Sequence, residues 1–258
     1  MRVGVLSDIH GNLPALDAVL AEVPPTGVDA LVLTGDVAAG PLPVETIDRL
    51  AGLPWPVHWI RGNGERAMVT AFDSDGPLAE DETGDGWAGR QLTESQRDLL
   101  AGAPLSVTLD VDGLGEVLFC HGSPRRDDEI LLVDSPPAVF AEALAGVRPA
   151  TVVCGHTHMP FDRLAAGHRV VNPGSVGMAY GPPGAYWAVL GPTVELRRTP
   201  FDAEAAAAQI TGRSSSPVAS EFAQNYVLNP PDADAALAAF TERAAGTRPS
   251  GSAERGHR

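Results

Sequence analysis

A chain of 258 residues, 44% hydrophobic and 20% charged, suits one large α/β domain or such a domain with an appendage. Its net charge of −15 argues against a broad basic nucleic-acid-binding face, although bound cations would still permit an anionic substrate. No apolar run is long enough to span a bilayer and Met1 leads into no signal-peptide pattern, so a cytoplasmic protein without membrane contact is expected.

Residues 3–6 read as a short strand buried on both faces. Leu13, Leu16, Val19, Leu20 and Val23 recur at helical spacing, and Pro14 suits a first turn, which predicts a helix over 13–23. Residues 30–33 form a second buried strand, 44–50 a helix with Val44, Ile47 and Leu50 three apart, and 57–60 a third strand. This alternation predicts βαβ units around a parallel sheet, whose functional groups gather at the carboxyl ends of strands. The acidic stretch 73–86 reads as a solvated loop. Thr93 and Gln96 form a capping box for a short helix, anchored by Leu99 and Leu100 and stopped by Gly102 and Pro104.

The second half is richer in strands. Residues 105–111 and 116–120 flank Asp112-Gly113, a hairpin signal. Residues 151–154, one run near 163–171, then 185–190 and 194–198 continue the pattern. Two such halves fit two sheets packed face to face with helices outside. Cys120 and Cys154 close apolar runs and read as buried structural thiols.

Beyond Phe201 the chain becomes Ala-rich. Asp202 is placed to cap a helix reaching about 210, 217–226 is compatible with a helix, and 233–245 is another, with Leu237 and Phe240 as anchors. Helices with so few large apolar residues must dock on the core or pair subunits into a homo-oligomer. The expected organisation is a main domain over 1–200, a helical extension over 201–245 and a disordered tail over 246–258.

Five short motifs sit where strands hand over to loops: Ser7-Asp8-Ile9-His10-Gly11-Asn12, Gly35-Asp36, Gly62-Asn63, His121-Gly122 and Gly155-His156-Thr157-His158. Asp8 and His10 flank Ile9, so on an extended strand end both side chains face one way. Taken singly, Asp36 could be a turn residue and Asn63 could hold a left-handed turn. Paired imidazoles at 156 and 158, ending an apolar strand, are costlier without a purpose. Jointly, Asp8, His10, Asp36, Asn63, His121, His156 and His158 supply oxygen and nitrogen donors and no sulfur. Such a set suits two borderline-hard divalent ions, and two-metal sites perform phosphoryl-type displacements.

In these motifs and their order the chain resembles the calcineurin-like metallophosphoesterase superfamily, and within it the small bacterial and archaeal phosphodiesterases. Asn172-Pro173-Gly174-Ser175 after the last motif is also typical of that subgroup, and the resemblance covers about residues 1–200. It implies an α/β fold, a four-layer α/β/β/α sandwich of the metallo-dependent phosphatase type, followed here by the helical extension. It implies that Asp8, His10 and His158 hold one metal, that Asn63, His121 and His156 hold the other, and that Asp36 bridges them. A metal-bridging water would then act as hydroxide and attack phosphorus in line, without a covalent enzyme intermediate. Manganese is the first candidate metal, with iron, zinc, nickel or magnesium as alternatives.

The expected activity is that of a metal-dependent phosphodiesterase or phosphatase acting on a small phosphorylated compound. A phosphoprotein phosphatase or dinucleoside polyphosphate hydrolase is the alternative enzyme, and a catalytically weak metal-binding regulatory module the alternative class. Asn12, Arg61, Arg125 and Arg126 are candidate substrate-phosphate contacts, although Asn12 is also suited to fixing the first loop. One departure stands out. Many superfamily members follow the motif asparagine with a histidine that protonates the leaving group, whereas Gly64 stands there in this chain. No catalytic proton donor is therefore assigned beyond the water; Glu65 is the nearest acid, read as an exposed residue of a helix's first turn.

Overall fold

A computed structural model of the chain describes residues 1–74 and 84–246, so the central part of the expected acidic loop and the tail beyond 246 lie outside the described residues. The first half builds β1 (Val3–Leu6), α1 (Leu13–Glu22), β2 (Ala30–Leu33), α2 (Pro43–Ala51) and β3 (Val57–Trp59). β1, β2 and β3 run parallel, as the alternation of strands and helices requires. Then follow α3 (Asn63–Asp73), α4 (Asp85–Arg90) and α5 (Glu94–Ala101). The expected capping box opens α5: Gln96 N donates to Thr93 Oγ1 at 3.3 Å, and Thr93 N to Gln96 Oε1 at 3.0 Å.

The second half contributes β4 (Ser106–Val111), β5 (Gly115–Cys120), α6 (Pro137–Ala143), β6 (Thr151–Val153), β7 (Phe161–Ala165), β8 (His168–Asn172), β9 (Ala185–Leu190) and β10 (Val194–Thr199). The single run expected over 163–171 is in fact a hairpin of β7 and β8, turning at Ala166-Gly167 with both residues at positive φ. A glycine beside a small residue was the turn signal in that stretch. His168, outside every motif, opens β8 and its Nδ1 lies 2.9 Å from Pro149 O.

Two five-stranded sheets result, ordered β10-β9-β1-β2-β3 and β4-β5-β6-β8-β7. The halves of the sequence do not map one-to-one onto the sheets, because β9 returns to lie antiparallel beside β1. Alternation along the strands explains the layering. Val3, Val5, Val32, Val117, Phe119, Val153, Val171, Ala188 and Leu190 form the core between the sheets. Leu6, Leu31, Leu33, Trp187 and Val189 face the helices outside the first sheet. Leu118, Cys120, Val152 and Val170 join Phe140 and Ala143 of α6 outside the second. The architecture is therefore the expected α/β/β/α sandwich. Both cysteines are free and buried.

The C-terminal region forms α7 (Ala203–Arg213), α8 (Ala219–Phe222), a π-helical turn (Ala223–Leu228) and α9 (Ala233–Gly246). Asp202 caps α7 by accepting from Ala205 N at 3.0 Å. Ala206, Ala207, Ile210, Phe222 and Val227 extend the core outside the first sheet. These helices thus use their few apolar residues on the body of the chain. Among the described residues, no helix is long and apolar enough to cross a membrane.

Candidate metal centre

All five motifs emerge from the carboxyl ends of parallel strands on one rim. β1 delivers Asp8 and His10, β2 delivers Asp36, β3 leads to Asn63, β5 to His121, and β6 to His156 and His158. Asp8, His10, Asp36, His156 and His158 all have φ between 49° and 67°. Among the described residues the only other non-glycine at positive φ is Ala166. Each such residue costs about 1 kcal/mol or more, and strain of this kind persists where surrounding bonds over-determine it.

Those bonds are present. Asp8 N donates to Gly35 O at 3.0 Å, and His10 N to Asp36 O at 2.9 Å. Asp8 O accepts from Ser175 Oγ at 2.7 Å and from Gly177 N at 3.1 Å. His156 N donates to Asp8 Oδ2 at 3.0 Å. Asn172 Nδ2 donates to Gly155 O at 2.8 Å, so the Asn-Pro-Gly-Ser segment ties the last motif to the first. Gly155 must be glycine, since a Cβ there would lie 2.0 Å from Ser7 Oγ.

The side chains converge in two groups, Asp8 with His10 and His158, and Asp36 with His121 and His156. His121 Nε2 also lies 3.2 Å from Asn63 Oδ1, which brings the asparagine to the second group. Asp36 stands between the groups, its Oδ2 being 3.4 Å from His121 Nε2 and 3.9 Å from His10 Nε2. Its Oδ1 is held by Gly64 N at 2.7 Å.

Three imidazoles are aimed from behind. Nδ1 of His10, His121 and His158 lies 2.7–2.9 Å from Ala39 O, Thr34 O and Met178 O respectively. A carbonyl can only accept, so each Nδ1 carries a proton and each ring turns its Nε2 inward, where a neutral imidazole offers its lone pair. Nε2 of His10 and of His158 are only 3.2 Å apart. Two lone pairs facing at that distance repel unless a cation or proton sits with them. Asp8 Oδ1, buried and 3.2 Å from His158 Nε2, has no hydrogen-bond partner among the described residues. The donor set therefore fits a divalent cation on physical grounds.

The electrostatics agree. Burial pushes the Asp8 carboxyl up, but His158 and His121 draw it below the usual carboxylate range. Asp36 is likewise lowered, burial being outweighed by His121, His10 and His156. Burial opposes a charge on His121, yet Asp36, Asp8 and Glu65 raise it to about 10. His156 is lowered to about 4 by burial and by His121.

Several sequence expectations need correction. Glu65 is not an exposed residue of a first helical turn; it is buried and accepts from Gly62 N, Asp36 N and Val37 N at 2.7–2.8 Å. Asn63 starts α3 rather than holding a left-handed turn. Asn12 is fully buried, donating to Gly177 O and accepting from Ala15 N, which is the loop-fixing role its sequence position also suited. Arg125 pairs with Glu129 and Glu142, and Arg126 with Asp128. Arg61 Nε stands 3.4 Å from Asp127.

Two aromatic residues absent from the motifs complete the rim. Tyr180 stacks on His158 with 5.1 Å between centroids and 14° between planes. Phe240, read from the sequence only as a helix anchor, meets His156 edge-on at 6.3 Å and Tyr180 at 6.1 Å. The available signal was Phe240's place as a lone aromatic in an Ala-rich helix.

A family model described as the calcineurin-like phosphoesterase superfamily domain matches residues 1–192. The protein MJ0912 of Methanocaldococcus jannaschii is 25% identical over 182 residues, covering 67% of this chain and 69% of that protein. A metallophosphoesterase from Sphaerobacter thermophilus shares the fold with TM-score 0.68 at 24% identity, over 87% of this chain and 98% of that one. The protein PH1004 of Pyrococcus horikoshii OT3 aligns with TM-score 0.71 at 21% identity, over 86% and 97% of the two chains.

Proposed function

The chain belongs to the calcineurin-like phosphoesterase superfamily, and we propose that within it this protein is a dinuclear metal-dependent phosphodiesterase. Asp8, His10 and His158 would hold one divalent ion, Asn63, His121 and His156 the other, with Asp36 shared between them. Manganese is the first metal to test for such an oxygen and nitrogen donor set. When bound, two such ions supply Lewis acidity toward the phosphoryl oxygens and lower the pKa of a shared water.

The chain's own part is positional. Backbone carbonyls at Thr34, Ala39 and Met178 fix the tautomer and direction of three imidazoles. Gly64 N–H holds Asp36 Oδ1, which leaves Oδ2 turned to both groups. Glu65 pins the backbone of both the Asp36 loop and the start of α3, so the two sides of the site keep their spacing.

The observation that favours a diester is the engagement of Arg125 and Arg126 by carboxylates. A terminal monoester dianion brings one more negative charge than a diester, and of Arg61, Arg125 and Arg126 only Arg61, 3.4 Å from an Asp127 that Arg66 already holds at both oxygens, is left to meet it. Gly64 offers no side-chain proton, so leaving groups of low pKa suit the site best. With manganese-loaded protein, kcat/KM for bis(p-nitrophenyl) phosphate should exceed that for p-nitrophenyl phosphate and far exceed that for an alkyl monoester. A preference for the alkyl monoester would refute the proposal.

A further inference from the structure

We propose that a cavity between the metal rim and the C-terminal extension receives the organic group of the ester, and that it takes a flat aromatic group bearing hydrogen-bond donors, as a nucleoside presents. This rests on the phosphodiesterase reading above. The cavity is about 290 Å³ and opens beside His10, one of the convergent imidazoles. An ester arm leaving a phosphorus near Asp8, His10 and His158 therefore has this space next to it.

Its walls specify the occupant. Met178, Phe222 and Tyr226 supply apolar and aromatic surface, with the two rings 5.5 Å apart and tilted by 52°. Such walls favour a flat π-system, held by stacking and by thioether contact. Asp85, at the start of α4, and Glu221, on α8, bring the charged groups. Ionised carboxylates only accept hydrogen bonds, so they select hydroxyls and amines. Among the described residues no lysine or arginine lines the cavity, which disfavours a second phosphate there. The chemistry divides cleanly: the anionic phosphorus belongs to the metal rim, and a neutral or cationic donor-rich ring belongs to the pocket. The C-terminal extension thereby gains a role, since Phe222, Tyr226 and Glu221 all come from it.

The test uses full-length manganese-loaded protein and two diesters with the same leaving group, the p-nitrophenyl ester of thymidine 5′-monophosphate and methyl p-nitrophenyl phosphate. The nucleoside ester should be favoured in kcat/KM by about tenfold or more, the scale of one base stacked on an aromatic side chain. That ratio should fall in Tyr226→Ala and in Glu221→Gln, the latter changing an exposed side chain. Equal kcat/KM for the two esters, or an unaltered ratio in both variants, would overturn the pocket and leave the phosphodiesterase reading standing. If neither ester is hydrolysed, that reading fails. Thymidine binding by calorimetry then decides the pocket: binding weakened by Tyr226→Ala supports it, and no binding overturns it.

Discussion

Single residues at the rim carry effects that composition alone would misjudge. Gly64 lies inside α3, where exchange for alanine would ordinarily gain about 1 kcal/mol in helix propensity. Here a Cβ would sit 2.8 Å from both Ala39 Cβ and Asp36 Oδ1. Gly64→Ala is therefore expected to lower stability, with a smaller denaturation midpoint at constant m; a rise would contradict the close packing. The Cβ of a histidine placed at 64 would meet the same two atoms. Glu65→Gln swaps one accepting oxygen for a donor against backbone N–H groups, at a cost of about 2 kcal/mol or more. A loss below about 0.5 kcal/mol on urea unfolding would show those bonds to be dispensable. Neither effect was legible in the sequence, because Glu65 in a first helical turn looks the same whether it faces solvent or three buried amides.

Proton linkage also belongs to the residue scale. His121, raised to about 10 in the metal-free protein, carries a proton at pH 8. Its Nε2 must lose that proton to bind a cation, so metal uptake should release protons and affinity should rise between pH 7 and 9. Calorimetry in buffers of different ionisation enthalpy reads this directly; manganese binding with no proton release would contradict it. His156 acts in the opposite sense. Its folded pKa of about 4 lies below the unfolded value, so its contribution to stability is full above about 6.5 and is lost as pH falls toward 4.

At the scale of elements, α9 matters more than its Ala-rich composition suggests. Phe240 is buried against Tyr180 and His156, so the helix braces the rim of the site. Phe240→Ala should destabilise the protein by about 3 kcal/mol and weaken metal binding by about tenfold. A destabilised variant with unchanged metal affinity would reduce α9 to packing alone. Strand and helix periodicity made β1 to β3, α1, α2 and α5 readable, since each is local and strongly patterned. The hairpin of β7 and β8 was not resolved, because its two strands are separated only by Ala166-Gly167. The contact of α9 with the rim depends on packing between residues far apart in sequence, which no local pattern encodes.

For the whole molecule, two sheets aligned with their parallel carboxyl ends on one rim turn five weak motifs into one cluster of convergent donors. That convergence was legible because each motif closes an apolar run, and strand ends in α/β sheets face a common edge. The return of β9 to the first sheet and the aromatic wall contributed by the extension came only with the tertiary arrangement. On the proposed function, Asp36 is shared by two metals in hydrolysis. The direct measurement is a manganese titration followed by both metal stoichiometry and bis(p-nitrophenyl) phosphate turnover, for the wild type and Asp36→Asn. The wild type should bind two ions and gain turnover with the second, while Asp36→Asn loses turnover by more than about a hundredfold, beyond the range for an outer-shell partner. Wild-type protein that binds manganese without turnover, or an Asp36→Asn variant that keeps full activity, would contradict it.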